Sequence, residues 1–284
     1  MLRLRTRGGR VAKLRAIDLA INVDMSRLGQ PEWLKAAERE TFKQGEALFR
    51  DLTPDEVVPQ LDAHGVARAV LGIDPLAPNP HVIAFLEKHP GRFFLAASLD
   101  PNNAMRGVRA LEALKRAYPR ELVEARIVPF QHELAPDTPL YYPIYAKCIE
   151  LGLVCGIYTG LPVPPVPGEC QHPMRLDRVC FHFPELKLVM CHGADPWWDV
   201  AIRLMIKYRG LHLQTSAWAP KRLPPELIHF MNTRGQDKIL WASNHPSVPL
   251  ARHFAELPAL PLREGVLDKY LYQNAARLFF GESD

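Results

Sequence analysis

The feature that most limits the fold is an alternation of two kinds of segment. Short apolar runs rich in branched aliphatics recur along the chain: "AIDLAINV", "VARAVLGI", "FFLAASL", "LVEARIVPF", "LVCGIYT", "LKLVMCH", "LHLQTSA" and "KILWAS". Runs that are nearly apolar throughout belong to strands buried on both faces. Between them lie amphipathic segments such as "PDEVVPQLDAHG", "NNAMRGVRALEALKRAYP" and "PWWDVAIRLMIKYRG". Several stop at Gly or Pro, as helices do. Strand and helix units repeated in this way predict an α/β fold, a (β/α)8 TIM barrel formed as a single domain. A doubly wound open sheet is the rival, and it is weakened because no GxGxxG follows a strand.

The domain boundaries follow from composition. Residues 1–15 read as a basic leader, and 16–284 as the barrel. Residues 25–52 form an inserted helical segment after strand 1, placed near the barrel mouth. The leader carries "RLRTRGGRVAKLR" without interleaved aromatics, and the net charge is only +4 on 284 residues. No nucleic-acid partner is expected. No run of ~18 apolar residues exists, so no membrane partner is expected either. The leader has no apolar core of a secretion signal. The five cysteines are odd in number and show no CxxC spacing. They read as reduced, mostly buried thiols, and the expected location is cytoplasmic.

In such a barrel, chemistry collects at the C-terminal ends of the strands. The polar residues placed there are Asn22, Asp24, Asp74, Asp100, Gln131, His132, Tyr158, Thr159, His192, Ser216, Trp218, Asn244 and His245. Asp74 and Asp100 each precede proline and read as turn formers.

At this point the chain resembles a known family. The stretches "PDTPLYYPIYAKCIELGLVCGIYTG", "FPELKLVMCHGADPWWDVAIRL", "LQTSAW", "DKILWASNHP" and "YQNAARLFFG" carry the likeness. Together they resemble the amidohydrolase superfamily, in the amidohydrolase-related branch typified by aminocarboxymuconate-semialdehyde decarboxylase. The resemblance implies a metal site, and this chain departs from it. The H-x-H of strand 1 falls on Ala20 and Asn22. The strand 5 histidine is Tyr158, and the strand 8 aspartate is Asn244. His192 alone is kept.

Ala20 offers no lone pair, and neutral amide oxygens are poor ligands beside imidazole or carboxylate. A phenol with a pKa near ~10 is a weak ligand unless a metal already holds it. A catalytic zinc site needs about three protein ligands and an open position. The expectation is therefore a degenerate metal site with no catalytic metal and no other cofactor. A relocated metal site on His132, His172 or His245 is the alternative.

The expected catalytic residues are His192, Tyr158 and Asn244. His192 reads as a general acid or base with a pKa near ~6.5. Tyr158, Asn22 and Asn244 read as donors to an oxyanion; the alternative is that they fill the vacated cavity and satisfy one another. Asn22, Arg126, Trp218, His245 and Trp197 are the expected substrate-binding residues. Arg126 either holds a substrate carboxylate or pairs with Asp18 or Glu124. His245 and the tryptophans have plain packing roles as alternatives. Cys191 precedes His192 and is expected to face the opposite side.

The reading of function is a metal-independent hydrolase or lyase acting on a small anionic substrate, a cyclic or unsaturated carboxylate. The alternative is a catalytically silent member that binds a ligand or serves a partner as a regulatory subunit. The resemblance implies a homodimer, and a non-identical sister subunit is the further partner considered.

Overall fold

The computed structural model describes residues 3–5, 11–13 and 15–282. The strands of the barrel are β1 (Ala16–Ile21), β2 (Val66–Ile73), β3 (Phe93–Ser98), β4 (Leu122–Ile127), β5 (Val154–Tyr158), β6 (Leu188–Cys191), β7 (Leu211–Gln214) and β8 (Ile239–Leu240). Each pairs in parallel with the next, so all eight follow chain order in one sheet. The seam between last and first strand is closed just beyond β8. Asn244 N–H donates to Ala20 O (2.9 Å), and Asn22 N–H donates to His245 O (2.8 Å). Ile21 and His245 form a parallel bridge there. Arg3–Arg5 and Val11–Lys13, within the predicted leader, pair as a separate antiparallel ribbon.

Strand alternation sorts the core into two layers. One set, with Leu71, Leu95, Ile157, Met190, Leu213 and Trp241, packs outward against the helices. The other, with Ile17, Leu19, Val70, Phe94, Ala96, Val154, Val189 and Leu240, fills the barrel. Tyr272, Ala275 and Ala276 close the N-terminal end of that interior, with Phe279 and Phe280 packed beside them. The interior is thus a packed core.

The helices fall where the sequence places them, with one addition. Leu250–Glu256 forms a helix after β8, in a stretch not read as helix from the sequence. Pro249 is its N-cap, and Leu250, Phe254 and Leu257 are buried in the outer layer.

Residues 25–52 form a small module on the C-terminal side. Glu32–Ala37 is its α-helix, and Met25, Leu34 and Leu48 make a core of their own with Trp33, Phe42 and Phe49 around it. Its two ends meet at an Asp24–Asp51 bridge. His81 Nε2 lies 3.2 Å from Val23 O and 2.9 Å from Leu52 O, holding both ends together. The module therefore begins three residues after Asn22, beside the barrel mouth.

Candidate active site

Two charged residues stand inside the barrel, Glu124 and Arg126. Glu124 and Arg126 are two apart on β4 and share its inner face. Arg126 Nε donates to Glu124 Oε1 (3.1 Å) and Nη2 to Oε2 (2.6 Å). Nη2 also donates to Leu19 O on β1 (3.0 Å). The guanidinium thus reaches from β4 across to β1. Glu124 is fully buried and Arg126 is 7% exposed, so neither charge could be held without the other. Burial works most strongly against the charge on Arg126, but the Glu124 carboxylate, with Tyr158 and Cys191 beside it, raises the guanidinium pKa overall. Of the partners the sequence offered for Arg126, Glu124 is the one used. Asp18 instead accepts from Ala20 N (3.1 Å) and Ser243 N (2.9 Å), tying β1 to the segment after β8.

Above this pair lie the side chains expected to act together. The rings of Tyr158 and His192 are 4.1 Å apart between centroids. Asn22 Nδ2 donates to Asn244 Oδ1 at 2.9 Å. Trp218 Nε1 donates to His192 O at 2.9 Å, so Trp218 braces the histidine backbone. His192 Nδ1 lies 2.5 Å from Ser216 Oγ, which also accepts the His192 N–H at 3.2 Å. With the Ser216 hydroxyl donating to Nδ1, the ring keeps its proton on Nε2.

Other expected residues are placed differently. Trp197 packs against His172 with the rings tilted by 46° and centroids 4.5 Å apart. His245 joins the site through its backbone carbonyl, while both of its ring nitrogens are buried without a protein partner.

Two expectations are corrected. Cys191 does not face away from the barrel axis. Its Sγ accepts from Gln214 Nε2 (3.0 Å) and lies 4.0 Å from Glu124 Oε1, inside the barrel. The alternation fails because the next residue, His192, has φ +67°. That left-handed turn brings the imidazole back over the same end of the barrel. Ala217 (φ +69°) and Asn244 (φ +61°) are likewise left-handed at the ends of β7 and β8. Such conformations cost energy in non-glycine residues and gather at functional sites.

The second correction concerns titration. Burial, and then the positive charge of Arg126, lower the His192 pKa to about 3. Burial pushes Tyr158 up to about 12, with Arg126 acting in the opposite direction. At neutral pH both groups are uncharged, and both carry a proton to donate.

The metal positions implied by the sequence are occupied by chemistry that does not suit a metal. Ala20 and Tyr158 lie beside the guanidinium, which is bonded to the carbonyl preceding Ala20 and whose charge acts on the Tyr158 hydroxyl. Among the described residues, no group of three His, Cys, Asp or Glu side chains is placed to hold a metal ion. The residues present do not fit one at the mouth.

A closed parallel barrel with its polar groups at the C-terminal strand ends defines the class of protein. Residues 23–281 match the family described as Amidohydrolase, and the chain belongs to that family. It is 24% identical over 261 residues to L-fucono-1,5-lactonase of Burkholderia ambifaria, covering 84% of this chain and 86% of that protein. Among solved structures it is similar to a TIM-barrel protein from Bordetella bronchiseptica (TM-score 0.74, 22% identity, 93% of this chain and 98% of that one). It is also similar to 5-carboxyvanillate decarboxylase from Sphingomonas paucimobilis (TM-score 0.71, 17% identity, 94% and 99% covered). A third likeness is to a probable 2-pyrone-4,6-dicarboxylic acid hydrolase from Acinetobacter baumannii with citric acid bound (TM-score 0.64, 16% identity, 94% and 100% covered). Among the described residues, no helix is long and apolar enough to cross a membrane.

The residues that sequence reasoning missed are Gly156 and the orienting role of Ser216. The signal for the Glu124–Arg126 pair was present, since E-x-R in an apolar strand puts both charges on one face. Gly156 gave no such signal.

Proposed function

We propose that this chain is a metal-independent hydrolase or lyase acting on a small, carboxylate-bearing cyclic or unsaturated substrate. One observation carries the reading: neutral proton-bearing donors converge beside a buried, fixed cation. The tilted rings of Tyr158 and His192 lie against each other beside Arg126, and Asn22 is hydrogen-bonded to Asn244. The relatives named above include a lactonase, a decarboxylase and a probable hydrolase of a dicarboxylic acid, and negative charge develops on oxygen when a lactone or ester carbonyl is attacked.

In this reading Tyr158 Oη–H and His192 Nε2–H donate to that oxygen. A neutral imidazole polarises a carbonyl in this way without having to take up a proton. Arg126 draws the substrate carboxylate toward the mouth, Asn22 and Asn244 orient it, and Trp218 holds the His192 backbone. His192 thus acts as a donor, and no step asks it to store a proton.

The test is a panel of 1,5-lactones and aromatic carboxylic acids, assayed with a chelator present. Turnover of a panel member, lowered tenfold or more by both His192→Ala and Tyr158→Phe, supports the proposal. Folded variants that retain full activity, or a panel that is inert throughout, would sink it.

A second reading has its own support. Asn22 and Asn244 satisfy each other, and Asn244 cannot act as a base. A silent barrel that binds an anion, alone or as the partner of a like or unlike subunit, suits those two facts. Binding without turnover, together with a complex seen by light scattering, would favour it.

A further inference from the structure

We propose that the mouth carries its cation covalently: the Arg126 guanidinium, seated by Glu124 and the Leu19 carbonyl, occupies the ground a divalent ion would need and serves as the anion-binding charge itself. The inference deepens the function proposed above and rests on its reading of the mouth as an anion site.

Four features of the seat support it. Glu124 holds one edge of the guanidinium through two bonds of 3.1 and 2.6 Å, so the head cannot swing out to solvent without stranding a buried carboxylate. Leu19 O takes a further donor, fixing the head against the opposite wall. Ala20, directly after that carbonyl, puts only a methyl group beside the seat. Gly156 on the neighbouring strand leaves room for the carboxylate, since any Cβ there would meet Glu124 Oε1. Glu124 is thus a positioning residue, and Arg126 is the group that touches the anion. The guanidinium offers only N–H donors, which suit a carboxylate or oxyanion, and no lone pair for a metal.

The experiment uses the full-length protein with benzoate as the anion and cobalt(II) as the metal. Calorimetry measures benzoate with and without chelator. The wild type should bind it equally in both, and Glu124→Gln/Arg126→Met, which removes both charges and leaves neither stranded, should weaken it at least tenfold. The second arm restores imidazoles with Ala20→His/Asn22→His and follows cobalt absorption. With Arg126 present, no stoichiometric cobalt spectrum should form. Adding Glu124→Gln/Arg126→Met to the same background should produce one.

Cobalt bound equally well with and without the guanidinium would overturn the inference. So would benzoate affinity that stays within twofold when the pair is removed. If a variant fails to fold, as judged by circular dichroism, Arg126→Gln/Glu124→Gln takes its place. Benzoate binding that behaves as expected while every substrate proves inert would sink the proposed reaction and leave this inference standing.

Discussion

A Cβ placed on Gly156 would lie 2.0 Å from Glu124 Oε1 and 3.0 Å from Cys191 Sγ. The absence of a side chain on β5 is what lets a carboxylate fit inside the barrel. Gly156→Ala must therefore push Glu124 away from Arg126 or strain the strand. Overpacking of this kind costs about 1–3 kcal/mol. The variant should unfold at correspondingly lower denaturant, and any anion affinity should fall with it. A midpoint equal to wild type would show that the interior has slack the structure does not reveal.

The ion pair itself makes a sharper prediction. Removing one member leaves the other charge buried and alone, at about 3–5 kcal/mol. Glu124→Gln and Arg126→Met should each be destabilised on that scale. The double variant should lose much less than the two losses added together, because no charge is then stranded. Urea unfolding of all four proteins closes the cycle. Singles that add to within ~0.5 kcal/mol would mean the two groups do not depend on each other.

These residues also show where sequence reasoning reaches and where it stops. Each of the eight apolar runs contains a strand of the barrel, because strands buried on both faces have no other way to read. Asn22, Tyr158, His192 and Asn244 were assigned to one end of the barrel from strand position alone, and hydrogen bonds and ring contacts join them there in pairs. The side on which Cys191 lies was not legible, since strict alternation assumes an extended backbone and His192 turns left-handed. The low basicity of His192 was not legible either. It depends on burial and on Arg126, which comes 66 positions earlier in the chain (192 − 126). The Leu250–Glu256 helix was hidden by its flanking prolines, one of which caps it.

Stability should depend on pH through two opposing sets of groups. Burial is the main cause lowering His212, His245 and His253 to about 4, and it lowers His192 to about 3. Each lies below the ordinary imidazole value, so the unfolded chain binds more protons between about pH 6.5 and 4. Their contribution is full above that window and is lost as pH falls through it. Asp18 behaves in the opposite sense. Burial raises it to about 6 despite hydrogen bonds from Ser243 and Ala20. Its contribution is full below the ordinary carboxylate pKa and is lost as pH rises through about 6. Four histidines outweigh one aspartate, so the melting temperature should fall between pH 7 and 4.5. Asp18→Asn should steepen that fall, because the opposing group is gone. A melting temperature that is flat over this range, or an unchanged slope in the variant, would contradict the assignment.

Ser216 is the last group whose role can be isolated. Its hydroxyl is fully buried and makes two contacts with one residue, accepting the His192 N–H and pairing with Nδ1. Ser216→Ala leaves Nδ1 without its donor and frees the ring to exchange tautomers. A buried group stripped of its partner costs about 1–3 kcal/mol. If His192 acts through Nε2–H, the larger effect falls on turnover, because the fraction of molecules with the proton on Nε2 drops. Activity should fall about tenfold or more, with substrate affinity less affected, while Ser216→Thr keeps the hydroxyl and most of the rate. Imidazole nitrogen shifts measured by NMR give the tautomer directly. Should Ser216→Ala retain both the Nε2–H form and the full rate, the serine is packing and the histidine is oriented by something else.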